Sequence, residues 1–218
     1  MFDVSLTFDN GPDAGTTPTV LRTLRRHGIA ATFFVIGRKL LDPALRAVAA
    51  HAHDEGHWVG NHTFAHSVPL GEQDAKGPAR EIARTQELIG ALAHPDRLFR
   101  PYGGGGHLDN RLLSPSAVEH LVQGAYTCVL WNAVPGDWKD PEGWVERAIG
   151  DCRRRAWTLL VLHDLPTGAM THLDRFLGRI GELGGRFRQD FPPDCVPIRN
   201  GKVLLPIAPY VATSGADT

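Results

Sequence analysis

Three short segments carry side chains that can ligate a metal ion or transfer a proton, and each follows a stretch typical of a β-strand. They are residues 7–11 (TFDNG), 61–66 (NHTFAH) and 160–164 (LVLHD). In a barrel of alternating strands and helices, the carboxyl ends of the strands meet at one face, where they build the active site. We therefore expect the three segments to share one pocket, and the pattern predicts an enzyme.

The second segment contains a histidine pair that suits a divalent metal. His62 and His66 are four residues apart, so on a helical turn both imidazoles face the same side and can bind one ion. The spacing alone is weak support, because the chain has 11 histidines and His51, His53 and His57 are spaced in a comparable way. Position favours His62 and His66, since they follow a predicted strand in a turn-like context.

The other two segments offer groups for acid–base chemistry. Asp9, followed by Asn10, is a carboxylate on a sharp turn, although the same residues can simply build an Asx turn. His163 stands at the tip of an apolar run, where histidine is uncommon unless it is paired or catalytic. Asp137 can hold that histidine in one tautomer and raise its pKa, while Trp138 shields it from water. The structural alternative is a tryptophan that closes the barrel mouth beside a capping aspartate.

An arginine precedes a glycine-rich loop at a further strand end. Arg100-Pro101-Tyr102 is followed by residues 103–106 (GGGG). The guanidinium can pair with Asp9 and keep it ionised and oriented, while a backbone N–H beside Tyr102 can face a developing oxyanion. The lysine and the hydroxyl residue of a phosphate-binding loop are missing, so we do not expect nucleotide binding.

Strand and helix signals alternate along the chain and predict the elements that position these groups. Residues 2–8 alternate in hydrophobicity as a first strand does. The alternation indicates βα units, and we expect an α/β fold with a parallel sheet of six or seven strands, which suits a slightly incomplete (β/α) barrel. Four helices are predicted from their first residues, which are Thr17-Pro18, Asp42-Pro43, Ser114-Pro115 and Asp140-Pro141. Two more helices are predicted over residues 77–93 and 172–183. The further predicted strands are 31–36, 58–59, 97–100, 126–131, 158–162 and an edge strand at 202–205.

Length and composition predict one globular domain over residues 1–218, with the proline-rich segment 190–218 wrapping the barrel. A net charge of −1 gives no reason to expect a nucleic acid or a membrane surface as a partner. The three cysteines lack the spacing of a disulfide framework or of a cysteine zinc site. The chain begins directly with a strand pattern, so we expect a cytoplasmic protein with a small-molecule or oligosaccharide substrate. The oligomeric state is not encoded in any of these patterns.

Five motifs in this order resemble those of the polysaccharide deacetylase family, the NodB-type carbohydrate esterases. Each is short, but their order and spacing make the set specific. The resemblance implies a distorted (β/α)7 barrel that hydrolyses the N-acetyl group of an amino sugar at one divalent metal ion, usually zinc, cobalt or manganese. The motifs are residues 7–11 (TFDNG), 62–66 (HTFAH), 100–103 (RPYG), 137–138 (DW) and 160–163 (LVLH).

The resemblance also implies a role for each of these residues. Asp9 corresponds to the general base, and His163 corresponds to the acid that protonates the leaving amine. The other implied roles are metal ligation by His62, His66 and Asn10, pairing with the base by Arg100, tuning of the acid by Asp137, oxyanion binding by the Tyr102 amide, and lining of the acetyl pocket by Trp138 and Leu162.

Two positions depart from the family pattern. Asn10 stands where the family normally has a metal-ligating aspartate, and its amide oxygen is a weaker ligand than a carboxylate. The arginine motif lacks one proline, a change that can shift Tyr102 and its N–H. Relatives with asparagine at the first of these positions act on muramic acid residues or, in the allantoinase-like branch, open cyclic amides without the usual metal.

The sequence therefore predicts a hydrolase of carbon–nitrogen bonds that deacetylates an N-acetylated amino sugar or oligosaccharide with the help of a divalent metal. One alternative is an allantoinase-like or imidase-like enzyme that opens a cyclic amide with a weak metal site or none. Another is a catalytically impaired, sugar-binding relative. The presence of Asp9, Asp137 and His163 together argues against impairment, because a protein without catalysis has no chemical need for all three.

Overall fold

Strands and helices alternate along the chain from its first residues. The computed structural model describes residues 1–213. The strands are β1 (Phe2–Asp9), β2 (Thr32–Val35), β3 (Trp58–Asn61), β4 (Leu98–Phe99), β5 (Thr127–Cys128), β6 (Trp157–His163), β7 (Gly185–Arg188), β8 (Ile198–Arg199) and β9 (Lys202–Val203). The α-helices are α1 (Thr16–His27), α2 (Pro43–Asp54), α3 (Gly77–Ile89), α4 (Pro115–Gln123), α5 (Trp144–Arg153) and α6 (Leu173–Glu182).

The strands form one mixed sheet in the order β6-β1-β2-β3-β4-β5-β8-β9, and β7 also pairs with β1. The pairs among β1 to β7 are parallel, whereas β8 and β9 are antiparallel additions at one end. Just beyond β5, Ala133 bridges to Leu160 of β6, and the Val161 N–H donates to the Ala133 carbonyl at 3.0 Å. The sheet therefore curls round on itself as a distorted barrel, which confirms the predicted α/β fold.

The strand β1 has three neighbours because its second edge is shared. β6 pairs along almost its whole length, from Asp3 opposite Trp157 to Asp9 opposite His163. On the other edge, β7 pairs with the first half of β1, and β2 pairs with the second half. This arrangement places Asp9 and His163 side by side at the carboxyl end of the sheet.

Side-chain alternation divides β1 and β6 between two environments. Leu6, Phe8 and Leu162 belong to the core cluster that packs against α1, α5 and α6. Leu159 and Val161 belong to a second cluster, together with residues of β4 and the segment that follows β5. Because successive residues of a strand point to opposite faces, the polar residues of β1 share the face from which Asp9 reaches the cavity described below.

Most predicted helix starts are confirmed, and one is wrong. The side chain of Asp42 accepts the Ala44 N–H, and the side chain of Ser114 accepts the Ala117 N–H, so both are N-caps before proline. The helix expected at Asp140 begins instead at Trp144. Asp140 accepts the Gly143 N–H at 3.0 Å, and this local turn takes the place of the first helical turn.

The C-terminal segment returns to the barrel after β7. Phe191 packs edge-on against Trp58, with ring centroids 5.7 Å apart. β8 and β9 then extend the sheet beyond β5, and β9 confirms the predicted edge strand. Residues 214–218 of the predicted wrap lie outside the described residues. Between Met1 and residue 213, no helix combines the length and the apolar character needed to cross a membrane.

Candidate active site

A cavity of about 210 Å³ opens where the carboxyl ends of the parallel strands meet. Most of the residues expected at the site line it, although they come from distant parts of the sequence. Arg100 and Asp137 lie beneath the lining and are fully buried. The predicted residues that line the cavity are Asp9, Asn10, His62, His66, Tyr102, Trp138 and His163.

Arg100 holds Asp9 from below. Its Nη1 donates to Asp9 Oδ1 at 2.9 Å and to Thr7 Oγ1 at 2.6 Å. Its Nε and Nη2 donate to the carbonyls of Val129 and Leu130 at 3.2 and 3.1 Å. A buried guanidinium is tolerated when its donors are satisfied in this way. The network fixes one oxygen of Asp9 and leaves Oδ2 turned toward the histidines.

Burial opposes the charge of Arg100. Desolvation lowers the pKa of the guanidinium, and the charge and the hydrogen bond of Asp9 act in the opposite direction. The ring of Phe34 lies under the guanidinium carbon, 4.2 Å from its centroid, and adds a cation–π contact. The arginine therefore belongs to the packed interior as much as to the site.

His62 and His66 are held as neutral imidazoles. Burial lowers the pKa of each to about 3. The His62 Nδ1 lies 2.9 Å from the Arg100 carbonyl, and because a carbonyl can only accept, Nδ1 carries the proton. Its Nε2 lone pair then faces Asp9 Oδ2 at 3.6 Å. Two acceptors face each other with no proton between them, an arrangement that a cation would relieve.

The remaining donors complete a set that fits a divalent ion. The ring of His66 lies 4.7 Å from that of His62 and 4.1 Å from that of Tyr102, between centroids. Asn10 Oδ1 is buried and has no hydrogen-bond partner in the described part of the chain. Within residues 1–213, no group of three or more His, Cys, Asp or Glu side chains is arranged to hold a metal. The Asn10 amide oxygen is a further donor that lines the same cavity as the two imidazoles. Imidazole nitrogens and amide oxygens are suitable ligands for divalent metals.

His163, beside Asp9 on the neighbouring strand, is held by Asp137. The His163 Nδ1 lies 2.9 Å from Asp137 Oδ1, and the His163 backbone N–H donates to Oδ2, also at 2.9 Å. Burial opposes protonation of the ring, but the hydrogen bond and the charge of Asp137 outweigh it and raise the pKa of His163 above its ordinary value. Trp138 packs edge-on against the imidazole at 4.6 Å. With Nδ1 engaged, Nε2 is free to exchange a proton inside the cavity.

The expectation that Leu162 lines the acetyl pocket is wrong. Leu162 is fully buried in the cluster between the sheet and the helices, because it alternates with its inward-facing neighbours on β6. Val161, Leu165 and Val134 line the cavity instead, and Trp131 joins them. These four residues give the cavity an apolar side.

Trp131 also fixes the glycine loop, a role that the sequence did not reveal. Its indole Nε1–H donates to the Gly106 carbonyl at 3.0 Å. A Cβ added at Gly103 would lie 2.4 Å from the indole ring, so a larger residue could not occupy that position without displacing the tryptophan. The absence of a side chain at Gly103 is therefore needed for this close packing.

Asp164 is a second residue whose role sequence reasoning missed. It is fully buried, and it accepts a hydrogen bond from the Thr17 hydroxyl. Its carboxylate lies so close to Gly11 that a Cβ there would be 2.2 Å from Oδ2. Burial raises the pKa of Asp164 to about 7. The sequence signal that could have identified Asp164 is its position directly after His163. Its contacts with Thr17 and Gly11 show that it supports the turn after Asp9.

Comparison with known proteins finds relatives of one family. The family model described as polysaccharide deacetylase matches residues 2–116, more than half of the chain. A peptidoglycan-N-acetylglucosamine deacetylase of Bacillus cereus is 28% identical over 193 residues, which cover 85% of this chain and 66% of the relative. A chitooligosaccharide deacetylase of Rhizobium leguminosarum is 31% identical over 73% of this chain and 66% of the relative. The chain thus spans about two thirds of the length of these curated relatives.

A solved structure extends the similarity to the fold and to metal binding in a relative. A family 4 acetyl xylan esterase from Clostridium thermocellum, solved in complex with a cobalt ion, is 26% identical and superposes with a TM-score of 0.70, covering 86% of this chain and 87% of the esterase. The superposition agrees with the barrel described above, and the family model covers the strands from β1 to β4. The chain belongs to the polysaccharide deacetylase family.

Proposed function

We propose that the protein hydrolyses the amide of an N-acetylated amino sugar or oligosaccharide and releases acetate. One observation carries this proposal: Asp9 and His163 occupy paired positions on neighbouring parallel strands and line one cavity with a histidine pair. Paired strands lie about 4.8 Å apart, so a base and an acid act here on a single small group. The names of the relatives, which specify N-acetylglucosamine and chitooligosaccharides, support an amino-sugar substrate.

Asp9 is placed to act as the general base. Its Oδ1 is occupied by Arg100, so Oδ2 is the oxygen that accepts the proton of the attacking water. The hydroxyl adds to the amide carbon, and the tetrahedral oxyanion is stabilised by the Tyr102 backbone N–H. Loss of one such donor typically lowers the rate by about 100-fold or more.

His163 is placed to act as the general acid. Its Nε2–H donates a proton to the leaving nitrogen as the carbon–nitrogen bond breaks, and Asp137 stabilises the charged ring before that transfer. The products are acetate and a free amine. The apolar side of the cavity, with Trp131 and Val161, accepts the methyl group and excludes water from it.

His62, His66 and Asn10 would hold one divalent ion, either zinc or cobalt or manganese. When bound, such an ion supplies Lewis acidity that polarises the carbonyl and increases the acidity of water. The neutral state of the two imidazoles and the unpartnered oxygen of Asn10 support this assignment.

The test is a substrate panel with metal-free and metal-supplemented protein. The panel contains chitooligosaccharides, peptidoglycan fragments, acetylated xylan and allantoin, and both acetate and free amine are measured. We expect equal amounts of acetate and amine from an amino-sugar substrate, with activity restored by zinc or cobalt after chelation. Three outcomes would contradict the proposal. Release of acetate without amine from acetylated xylan would identify an esterase, and ring opening of allantoin would identify a cyclic amidase. Absence of turnover on every substrate would identify an impaired relative.

A further inference from the structure

The loop that carries both histidines is held from outside the cavity by α3. Glu81 accepts two hydrogen bonds at a single oxygen, Oε2, from the Phe64 N–H at 2.9 Å and from the Ala65 N–H at 2.8 Å. These two amides lie between His62 and His66 in the chain. Glu81 does not line the cavity, so it acts on the site through the loop.

The backbone of this loop requires such support. Thr63 and His66 have φ angles of 64° and 50°, in the left-handed region that non-glycine residues rarely adopt. Each such residue raises the free energy of the conformation, because its Cβ crowds the backbone there. External hydrogen bonds must therefore stabilise the turn that brings the two imidazoles together.

Asn61 provides a second connection to the same helix. Its Oδ1 accepts the Thr63 N–H at 3.0 Å, and its Nδ2 donates to the Ile82 carbonyl at 2.8 Å. Ile82 follows Glu81 on α3, so the loop is attached to adjacent positions of one rigid element. The guanidinium of Arg84 covers the outer face, 3.8 Å from the centroid of the Phe64 ring.

We propose that Glu81 is a positioning residue that pre-organises His62 and His66 to bind a divalent ion. This inference rests on the proposed function, since it concerns the same metal ligands. Without the carboxylate, the loop populates other conformations, and the fraction competent to bind the ion falls. Loss of a supporting residue behind metal ligands typically weakens metal affinity by about 10–100-fold.

The experiment compares Glu81→Ala and Glu81→Gln with Glu87→Ala as a matched control. Glu87 is an exposed glutamate of the same helix, and the Phe64 and Ala65 N–H groups donate to Glu81 rather than to it. Metal-free proteins are titrated with cobalt, and binding is followed by visible absorption. We expect about 10–100-fold weaker binding for Glu81→Ala, and binding within about 3-fold of wild type for Glu81→Gln and Glu87→Ala, because the glutamine oxygen still accepts from both amides.

Hydrogen exchange gives a readout that needs no metal. The amides of Phe64 and Ala65 should exchange faster in Glu81→Ala than in wild type, whereas Glu87→Ala should leave them unchanged. If circular dichroism shows that Glu81→Ala does not fold, Glu81→Asp takes its place. Its shorter side chain should weaken cobalt binding to an intermediate extent and speed exchange of the same two amides.

Several outcomes would overturn the proposal. They are a wild-type protein that binds no cobalt, wild-type affinity in Glu81→Ala, failure of Glu81→Gln to restore binding, or an equal loss in Glu87→Ala. The acetate assay is run on the same samples and tests the proposed function separately. Wild-type protein that binds cobalt with the expected order of variants but releases no acetate refutes the deacetylase activity and leaves the role of Glu81 intact.

Discussion

The two walls of the cavity hold their reactive groups by different means. One side of the cavity, here called the base wall, carries Asp9 and its partner Arg100. The side chain of Asp9 is 5% exposed and that of Arg100 is 0% exposed. Arg100 is bonded to two side chains and two carbonyls, so the pair is part of the interior of the barrel. The other side, here called the acid wall, carries His163 and Asp137. The side chain of His163 is 11% exposed and is held by the single carboxylate of Asp137.

This difference separates stability from chemistry. A change on the base wall exposes an unpaired buried charge and affects folding as well as catalysis. A change on the acid wall removes a proton donor that the core does not need. The base wall should therefore tolerate substitution poorly, whereas the acid wall should allow activity and its pH dependence to change in a folded protein.

The largest effect is expected for Arg100→Met. Methionine fills similar space but leaves Asp9 buried without a partner, so the free energy of unfolding should fall by about 3–5 kcal/mol, with loss of activity. Urea denaturation measures the change. Arg147→Met is the control, because Arg147 pairs with Asp140 in an exposed ion pair and should lose less than about 1 kcal/mol. A similar small loss for Arg100→Met would break the distinction between the walls.

His163→Asn tests the acid wall. The asparagine amide can still donate to Asp137 from the place of Nδ1, but it has no group that can protonate the leaving nitrogen. We expect kcat to fall by about 10²–10⁴-fold, with a free energy of unfolding within about 1 kcal/mol of wild type. Acetate release and thermal unfolding on one preparation give both values. Retained turnover would remove His163 from the mechanism.

Asp137→Asn sharpens the test through pH. The charged ring of His163 is the active form, so activity falls as pH rises through the pKa that Asp137 raises. Loss of the carboxylate lowers that pKa, and the alkaline limb of kcat/KM should move to lower pH. The variant should therefore be impaired more at pH 8 than at pH 6. If the alkaline limb of kcat/KM stayed at the wild-type pH, a group other than His163 would control the loss of activity at high pH.

The smallest effect is expected for Asn10→Asp. A carboxylate at this position adds a charged ligand beside the histidine pair, so cobalt should bind about 10-fold more tightly than in wild type. Asn10→Ala is the control and should bind more weakly, because it removes the buried oxygen. Calorimetric titration measures both constants. Equal affinities in all three proteins would exclude Asn10 as a ligand and confine the metal to the histidines.

Local pattern explains why much of the site was predictable. Asp9, His62, His66, Arg100 and His163 each follow a strand signal, and a strand of a parallel barrel ends at the functional face. The N-caps Asp42 and Ser114 were equally readable, because a cap and its helix are separated by a few residues.

Long-range packing explains what was missed. The family resemblance implies that Leu162 lines the cavity, but the strand pattern does not say which face of β6 points inward, and in the structure Val161 lines the cavity instead. The contact of Glu81 with the histidine loop spans 17 residues and joins a helix to a turn. Nothing in the local pattern of either segment indicates the other.

The amino-acid sequence by itself determined the kinds of reactive groups and the strand ends that present them, because those features depend on periodicity and turn chemistry within a few residues. The tertiary structure decided how the groups are held. The paired positions of Asp9 and His163, the carbonyls that satisfy Arg100, and the anchoring of the histidine loop on α3 all depend on segments that meet after folding. Burial at those contacts sets charge and geometry, and burial is a property of the whole packed chain.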